Sequence, residues 1–130
     1  MLLLITRKDY DHEYGLYSKE LANMKKATEI IMTLGFNLNN MAIITSPFES
    51  DKKSAEFLKE KLNINREIQE SELLIFGVDA AQKAEKLFNT ISENIIIVAC
   101  QAVMAFLLKE ARKRNLKIRT YEDGLCLILK

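Results

Sequence analysis

The chain has 130 residues, of which 48% are hydrophobic, so it is long and apolar enough for one domain, residues 1–130, around a single core. Its formal net charge is +1 and its pI is near 7.7, so no overall electrostatic field points to nucleic acid or membrane lipid as a partner. With only 4 glycines and 1 proline there is no flexible linker, and this composition is typical of helices with short connections.

The first apolar run, residues 2–5, has the length of a buried strand and is too short to span a membrane. No basic region precedes it and no small-residue cleavage site follows it, so it does not have the pattern of a signal peptide. Arg7 and Lys8 come directly after this strand, where open α/β sheets bind ligands. Arg7 offers a planar fork of donors and Lys8 adds a charge, so both are candidate anion-binding residues. The alternative is that they are only the solvated end of a strand.

The first half of the chain alternates strand and helix patterns. Ser18 is a candidate N-cap and Gly35 a candidate left-handed C-terminal residue for a helix whose apolar positions recur at three and four. The residues predict, in order, a polar loop over 9–17, a helix over 19–34, a strand over 41–45 that ends at Ser46-Pro47, and a helix over 49–62.

The second half continues this alternation and ends in a hairpin pattern. The residues predict a weaker strand over 64–69, a strand or irregular loop over 71–77, a helix over 79–91, a strongly β stretch over 94–99, a helix from Cys100-Gln101 to about Arg114, and strands over 117–120 and 125–129 joined by a turn over 121–124. We therefore expect a three-layer α/β/α sandwich whose mostly parallel sheet has an antiparallel edge.

The two cysteines, Cys100 and Cys126, have neither CxxC spacing nor histidines nearby, so the sequence predicts no metal site. Reduced thiols in a cytoplasmic protein are the simplest interpretation. Nothing in the sequence indicates a cofactor.

Short motifs follow the predicted strands in this order: Arg7-Lys8-Asp9, Ser46-Pro47-Phe48-Glu49-Ser50 with Ser54-Ala55-Glu56, Glu72-Leu73, and a strand that ends in Ala99-Cys100. This pattern resembles the histidine phosphatase superfamily, the phosphoglycerate-mutase-like fold, and most closely its short SixA-type phosphohistidine phosphatases. That family opens with a hydrophobic strand ending in Arg-His-Gly, has Ser-Pro-Phe followed by an Arg and by Thr-Ala-Glu, then a Glu-Leu pair, and later an Ile/Val strand ending in Ser-His.

The resemblance implies a degenerate active site. By position, the nucleophilic histidine is Lys8, the two phosphate-binding arginines are Arg7 and Ser50, and the second histidine is Cys100. A lysine ammonium, with a reference pKa of about 10.4, has no free lone pair near neutral pH. Loss of one transition-state donor typically costs about 10²- to 10³-fold in rate. Ordinary catalysis by this family is therefore not expected.

Three residues offer rescue routes for catalysis. His12 could act as a replacement nucleophile, although a loop-packing histidine explains it more simply. Cys100 lacks the arginine six positions later that a cysteine phosphatase needs, because Phe106 occupies that position. Glu72 matches a family position sometimes given the general-acid role, and a structural role explains it equally well.

A run of cations near the end of the fourth helix comprises Lys109, Arg112, Lys113, Arg114, Lys117 and Arg119. Cations are favoured at helix C-termini, and no aromatic residues alternate with these, so we interpret them as a solvated helix end rather than a nucleic-acid site.

Three functions are compatible with the sequence. The first is a non-catalytic histidine-phosphatase fold that binds a phosphate-like anion or a protein, with neither nucleic acid nor membrane as partner. The second is a phosphatase of altered mechanism acting on phosphohistidine or a small phosphoester. The third is a generic α/β module such as a receiver-like domain. A receiver requires paired acidic residues directly after the first strand, and Arg7-Lys8 occupies that position here.

Overall fold

A computed structural model describes residues 2–7, 18–35, 37–91, 93–121 and 125–129 of the chain. Its elements, in chain order, are β1 Leu2–Arg7, α1 Ser18–Thr33, β2 Ala42–Thr45, α2 Glu49–Lys61, β3 Gln69–Glu70, a short 3-10 turn Glu72–Leu74, α3 Ala80–Thr90, β4 Ile95–Cys100, α4 Gln101–Lys113, β5 Lys117–Thr120 and β6 Leu125–Leu129.

The six strands form one sheet in the order β3-β2-β4-β1-β6-β5. The first four strands in this order are parallel to one another, whereas β6 runs antiparallel to both β1 and β5. The expected mostly parallel sheet with an antiparallel edge is thus confirmed.

Strand β4 lies at the centre of the described core. Ile95, Ile97 and Ala99 face the layer formed by α3 and α4, whereas Ile96 and Val98 face the layer formed by α1 and α2. Both faces of the strand are therefore covered, which explains why it is continuously apolar instead of alternating with polar residues. The two helical layers with the sheet between them make the predicted three-layer sandwich.

Helix boundaries agree with the sequence prediction to within about one residue at most ends. α1 ends at Thr33, and Gly35 adopts the left-handed conformation expected of a helix-terminating glycine, with φ +76°. Helix α1 includes Ser18 as its first residue, whereas the sequence placed that serine just before the helix.

The prediction of a strand over residues 64–69 was wrong, because only Gln69 and Glu70 pair with β2. Ile64 is buried against α2, so it contributes to the core without joining the ladder. Arg66 bonds the carbonyl of Asn40 at 3.3 Å and the carboxylate of Glu93 at 2.9 Å. These contacts hold the segment in an irregular path until Gln69.

Residues 71–77, which fitted either a strand or a loop, form the 3-10 turn and an irregular segment. The Ser71 hydroxyl accepts a hydrogen bond from the amide of Leu73 at 3.2 Å, which caps the turn. The predicted loop over 9–17 and most of the predicted turn over 121–124 lie outside the described residues.

No helix in the described part of the chain is long and apolar enough to cross a membrane.

Replacing Gly35 by alanine should destabilise the fold by about 1 to 2 kcal/mol, because an L residue is strained at this positive φ. A Cβ added at Gly35 would meet no heavy atom within 4 Å beyond its chain neighbours, so the penalty is conformational and not steric. Gly35→Asn should lose less, because asparagine tolerates this conformation better. Urea unfolding measures both variants, and equal losses for alanine and asparagine would contradict this explanation.

Candidate functional site

Parallel strand ends gather the candidate residues at one edge of the sheet. Arg7, the last residue of β1, is directly paired in register with Cys100, the last residue of β4. Because β1 and β4 are parallel, the chain leaves both strands toward the same side of the sheet. Two positions separated by 93 residues in sequence therefore lie next to each other along the backbone.

Strand β2 brings Ser50 to the same edge. Thr45 at the end of β2 pairs with Val98 of β4, two residues before Cys100. The chain then turns through Ser46 and Pro47 and enters α2 at Glu49, so Ser50 lies in the first turn of that helix, where it is half-buried. The carboxyl edge, defined here as the ends of β1, β2 and β4 with the first turns of α2 and α4, thus contains Arg7, Ser50 and Cys100.

The described structure does not reach every candidate residue. Lys8, Asp9 and His12 lie outside the described residues, and for Arg7 only the backbone is described. The anion-binding role of Arg7 and Lys8 therefore stays a prediction.

A buried polar pair joins β2 to α2. The Ser46 hydroxyl donates a 2.5 Å hydrogen bond to Oδ2 of Asp51 and accepts one from the Phe48 amide at 3.3 Å. Ser46 is fully buried and Asp51 is only 1% exposed. The pair fixes the direction in which α2 leaves the strand, and so it fixes the position of Ser50 between them.

Sequence reasoning did not single out Asp51. An acidic residue in a first helical turn is ordinarily exposed and favoured by the helix dipole, so nothing marked this carboxylate as buried. The available signal was Ser46 five positions earlier at a strand end, since a hydroxyl there is within reach of the following helix.

Two further hydroxyls lie at the same junction. Thr45 is fully buried, and its hydroxyl is the buried side-chain polar atom without a hydrogen-bond partner among the residues that the structure describes. Ser54, also buried, donates to the carbonyl of Ser50 at 3.2 Å. The junction below Ser50 therefore contains several buried polar side chains.

Helices α2 and α4 both begin at the carboxyl edge but differ in charge. The first turn of α2 carries Glu49 and Asp51, whereas the first turn of α4 has no acidic residue. Cys100 precedes α4 without making a side-chain cap to it. Since helix N-termini favour anions, an anion at this edge is better placed beside α4 than beside α2.

Cys100 is a half-buried free thiol that packs against the core cluster on the α3–α4 side. Phe106, at the position where a cysteine phosphatase would need arginine, lies with its ring centroid 6.1 Å from that of Phe76. Phe106 thus contributes apolar packing at the position where a cysteine phosphatase would need its arginine.

Glu72 begins the 3-10 turn and is exposed. It lines an open groove of about 620 Å³ between that turn and α3, together with Asp79 and Lys83. Lys83 bonds the carbonyl of Ile75 at 3.1 Å and pairs with Asp79 at 3.3 Å. Within the part of the chain that the structure describes, the charged neighbours of Glu72 in this groove are thus residues of the turn–α3 region.

No group of three or more histidine, cysteine, aspartate or glutamate side chains within the described ranges is arranged to hold a metal ion.

Comparison with solved structures identifies the fold as phosphoglycerate-mutase-like, the fold of the histidine phosphatases. The chain is similar to a phosphoglycerate mutase from Plasmodium falciparum, with TM-score 0.65 and 12% identity over 99% of this chain and 87% of that chain. It is also similar to a mycobacterial glucosyl-3-phosphoglycerate phosphatase, with TM-score 0.62 and 12% identity over 98% of this chain and 94% of that one. No family model and no curated protein matches the chain.

These likenesses confirm the fold that the strand-end pattern implied. At 12% identity they establish the fold alone.

Replacing Ser46 by alanine should destabilise the protein by about 1 to 3 kcal/mol, because the buried Asp51 carboxylate loses a hydrogen-bond donor. Ser54→Ala is the matched control, since it removes an equally buried hydroxyl that donates to a backbone carbonyl instead of a carboxylate. Urea unfolding of both variants is the measurement. A loss at Ser46 no larger than the loss at Ser54 would show that Asp51 does not depend on this bond.

Proposed function

We propose that this chain is a catalytically silent protein of the histidine-phosphatase fold that retains weak affinity for a phosphate-like anion at its carboxyl edge. The observation that supports the proposal most directly is the pairing of Arg7 with Cys100 at the ends of two parallel strands. In the resembled family this edge holds the reacting phosphoryl group. Here an arginine is kept at the edge, while the nucleophile and two other groups are replaced.

The loss of catalysis follows from the chemistry of the replacements. Lys8 supplies an ammonium where the family has an imidazole, so no lone pair is ready to attack phosphorus near neutral pH. Ser50 carries no charge with which to stabilise a phosphoryl oxygen as an arginine fork does, and Cys100 supplies a sulfur, a weak hydrogen-bonding group, in place of a histidine donor.

Anion affinity has a separate physical basis. Arg7 keeps its fixed charge at any pH in ordinary use, Lys8 adds a second cation, and the first amides of α4 begin immediately after Cys100. Each hydrogen bond to a charged group contributes about 1.5 to 3 kcal/mol, from which the cost of association must be subtracted. The expected affinity for phosphate or sulfate is therefore about millimolar to high micromolar, and added salt weakens it.

We further infer a cytoplasmic location and a regulatory or protein-binding role. The described cysteines, Cys100 and Cys126, are both free thiols, which fits a reducing compartment. A fold that keeps an anion-binding edge but cannot catalyse a reaction of the bound anion is suited to sensing that anion or to binding another protein.

Catalytic silence predicts that the protein neither forms an acid-labile phosphohistidine nor hydrolyses phosphohistidine or p-nitrophenyl phosphate above background, because its nucleophile position is Lys8. Release of p-nitrophenol, and phosphorus NMR of phosphohistidine under alkaline conditions, measured with the protein and its Lys8→Ala and His12→Ala variants, are the measurements. Turnover that Lys8→Ala abolishes would overturn the proposal, and turnover that His12→Ala abolishes would favour a phosphatase of altered mechanism.

Anion affinity predicts that titrated phosphate shifts the backbone amides of Arg7 and of the first turn of α4 in two-dimensional NMR spectra. Ser50→Arg restores a guanidinium at this edge, so it should strengthen phosphate binding by at least about tenfold. Arg7→Gln should weaken binding.

Arg66→Gln is the matched control for that titration. This variant also removes one positive charge, but at the amino-terminal ends of the strands. There Arg66 bonds Asn40, which precedes β2, and Glu93, which precedes β4. No amide shift near Arg7 at tens of millimolar phosphate would leave only the protein-binding role. Equal effects of Arg7→Gln and Arg66→Gln would mean that overall charge, and not the carboxyl edge, attracts the anion.

A further inference from the structure

Positive charge is concentrated in one part of the described chain. Residues 101–121 contain six basic residues and one acidic residue, whereas the whole chain has a formal net charge of +1. The remainder of the chain is therefore net acidic, and a nearly neutral protein has one basic region.

Five of these six cations are not neutralised by described neighbours. Arg114 is the exception, since it pairs with Glu110 at 3.0 Å, bonds Asn89 at 2.7 Å and lies over the ring of Phe88 at 5.4 Å. The others are exposed and have no ion pair with a residue that the structure describes; they are Lys109, Arg112, Lys113, Lys117 and Arg119.

Two of the exposed cations lie on the edge strand β5. In the described sheet β5 is the outermost strand, and its described partner is β6 on one side. Ile118 packs against the core on the α3–α4 side, so Lys117 and Arg119 point to the opposite face of the sheet. The outer side of β5 thus presents backbone donors and acceptors beside two like charges.

Arg112 brings positive charge to the other face of the same edge. Helix α4 packs against β5 on the α3–α4 side of the sheet, and Arg112 is exposed in the last turn of that helix. We call Arg112, Lys117 and Arg119, together with the outer side of β5, the basic edge.

We propose that the basic edge binds an extended acidic segment of a partner protein, which adds to β5 as a further strand. Backbone hydrogen bonds to β5 would supply affinity, and carboxylates of the segment would meet cations on both faces of the sheet. This interaction goes beyond the anion site proposed above, because β6 separates β5 from β1.

The same charges explain why the edge selects this kind of partner. A second copy of the chain that approached β5 with its own β5 would bring Lys117 and Arg119 against their equivalents, and like charges on opposed strands are unfavourable. An acidic strand replaces that repulsion by attraction.

A nucleic acid fits the basic edge less well. Single-stranded nucleic acids are bound through stacking on aromatic side chains, and no aromatic residue alternates with these cations between Lys109 and Arg119. A duplex needs several phosphate contacts over a longer path, and the net acidic remainder of the protein would repel it.

The test uses the full chain and a fluorescein-labelled peptide of ten residues in which glutamate and threonine alternate. Extended, this peptide places its carboxylates on one face, so they can meet Lys117 and Arg119 together. We expect fluorescence anisotropy at low salt to give a dissociation constant of about 10⁻⁴ M, which weakens as salt is added. NMR shifts should fall on the amides of β5.

The variant Lys117→Gln/Arg119→Gln should weaken binding by about three- to tenfold, since it removes two exposed charge contacts. Lys53→Gln/Lys86→Gln is the matched control, because it removes two exposed charges from α2 and α3 and should leave binding unchanged. Both pairs lie on the surface, and unchanged circular dichroism would verify folding.

Two further peptides separate strand addition from simple charge attraction. One has the same composition with its five glutamates in a block, and the other is the alternating peptide with alternate backbone amides methylated. Both should bind more weakly if the segment adds to β5. Equal binding of either peptide, tighter binding of a 20-base-pair DNA duplex, an equal loss in the control variant, or no binding at all would each overturn the proposal.

Discussion

The structure depends above all on β4, which hydrogen-bonds β2 on one side and β1 on the other while both of its faces are buried. A one-residue slip of this strand would exchange the sets that face the two helical layers. Its register is therefore held by two cores at once. The same register brings Arg7 beside Cys100, so the geometry of the candidate site is a by-product of the packing of the core.

The β2–α2 junction adds a second, polar constraint. Ser46 and Asp51 are buried within the layer that α1 and α2 form, and their hydrogen bond sets where α2 begins. The carboxylate also places negative charge in the first turn of α2, which makes this helix end less attractive to an external anion. An external anion is therefore more favourably placed beside the start of α4 than beside the start of α2.

Much of the fold followed from the sequence because amphipathic periodicity and apolar runs are local signals. Helices α1 to α4 and the strong β stretch of β4 were predicted close to their observed bounds. The strand predicted over 64–69 was wrong since Ile64 packs under α2, and apolar residues alone do not show whether a ladder partner is available. At the site, the family resemblance implied one shared edge for Arg7, Lys8, Ser50 and Cys100; the backbone places Arg7, Ser50 and Cys100 there, and Lys8 lies outside the described residues. The burial of Asp51 arises only from tertiary packing.

The apolar core and the carboxyl edge rest on different residues. Ser50 and Cys100 are half-buried at element ends, so their side chains contribute little to the apolar core. Ile96, Val98 and Leu58, by contrast, are fully buried, and truncating such residues typically costs several kcal/mol, about 2 to 5 for a leucine. The side chains at the carboxyl edge can therefore change while the sheet and its two helical layers stay in place.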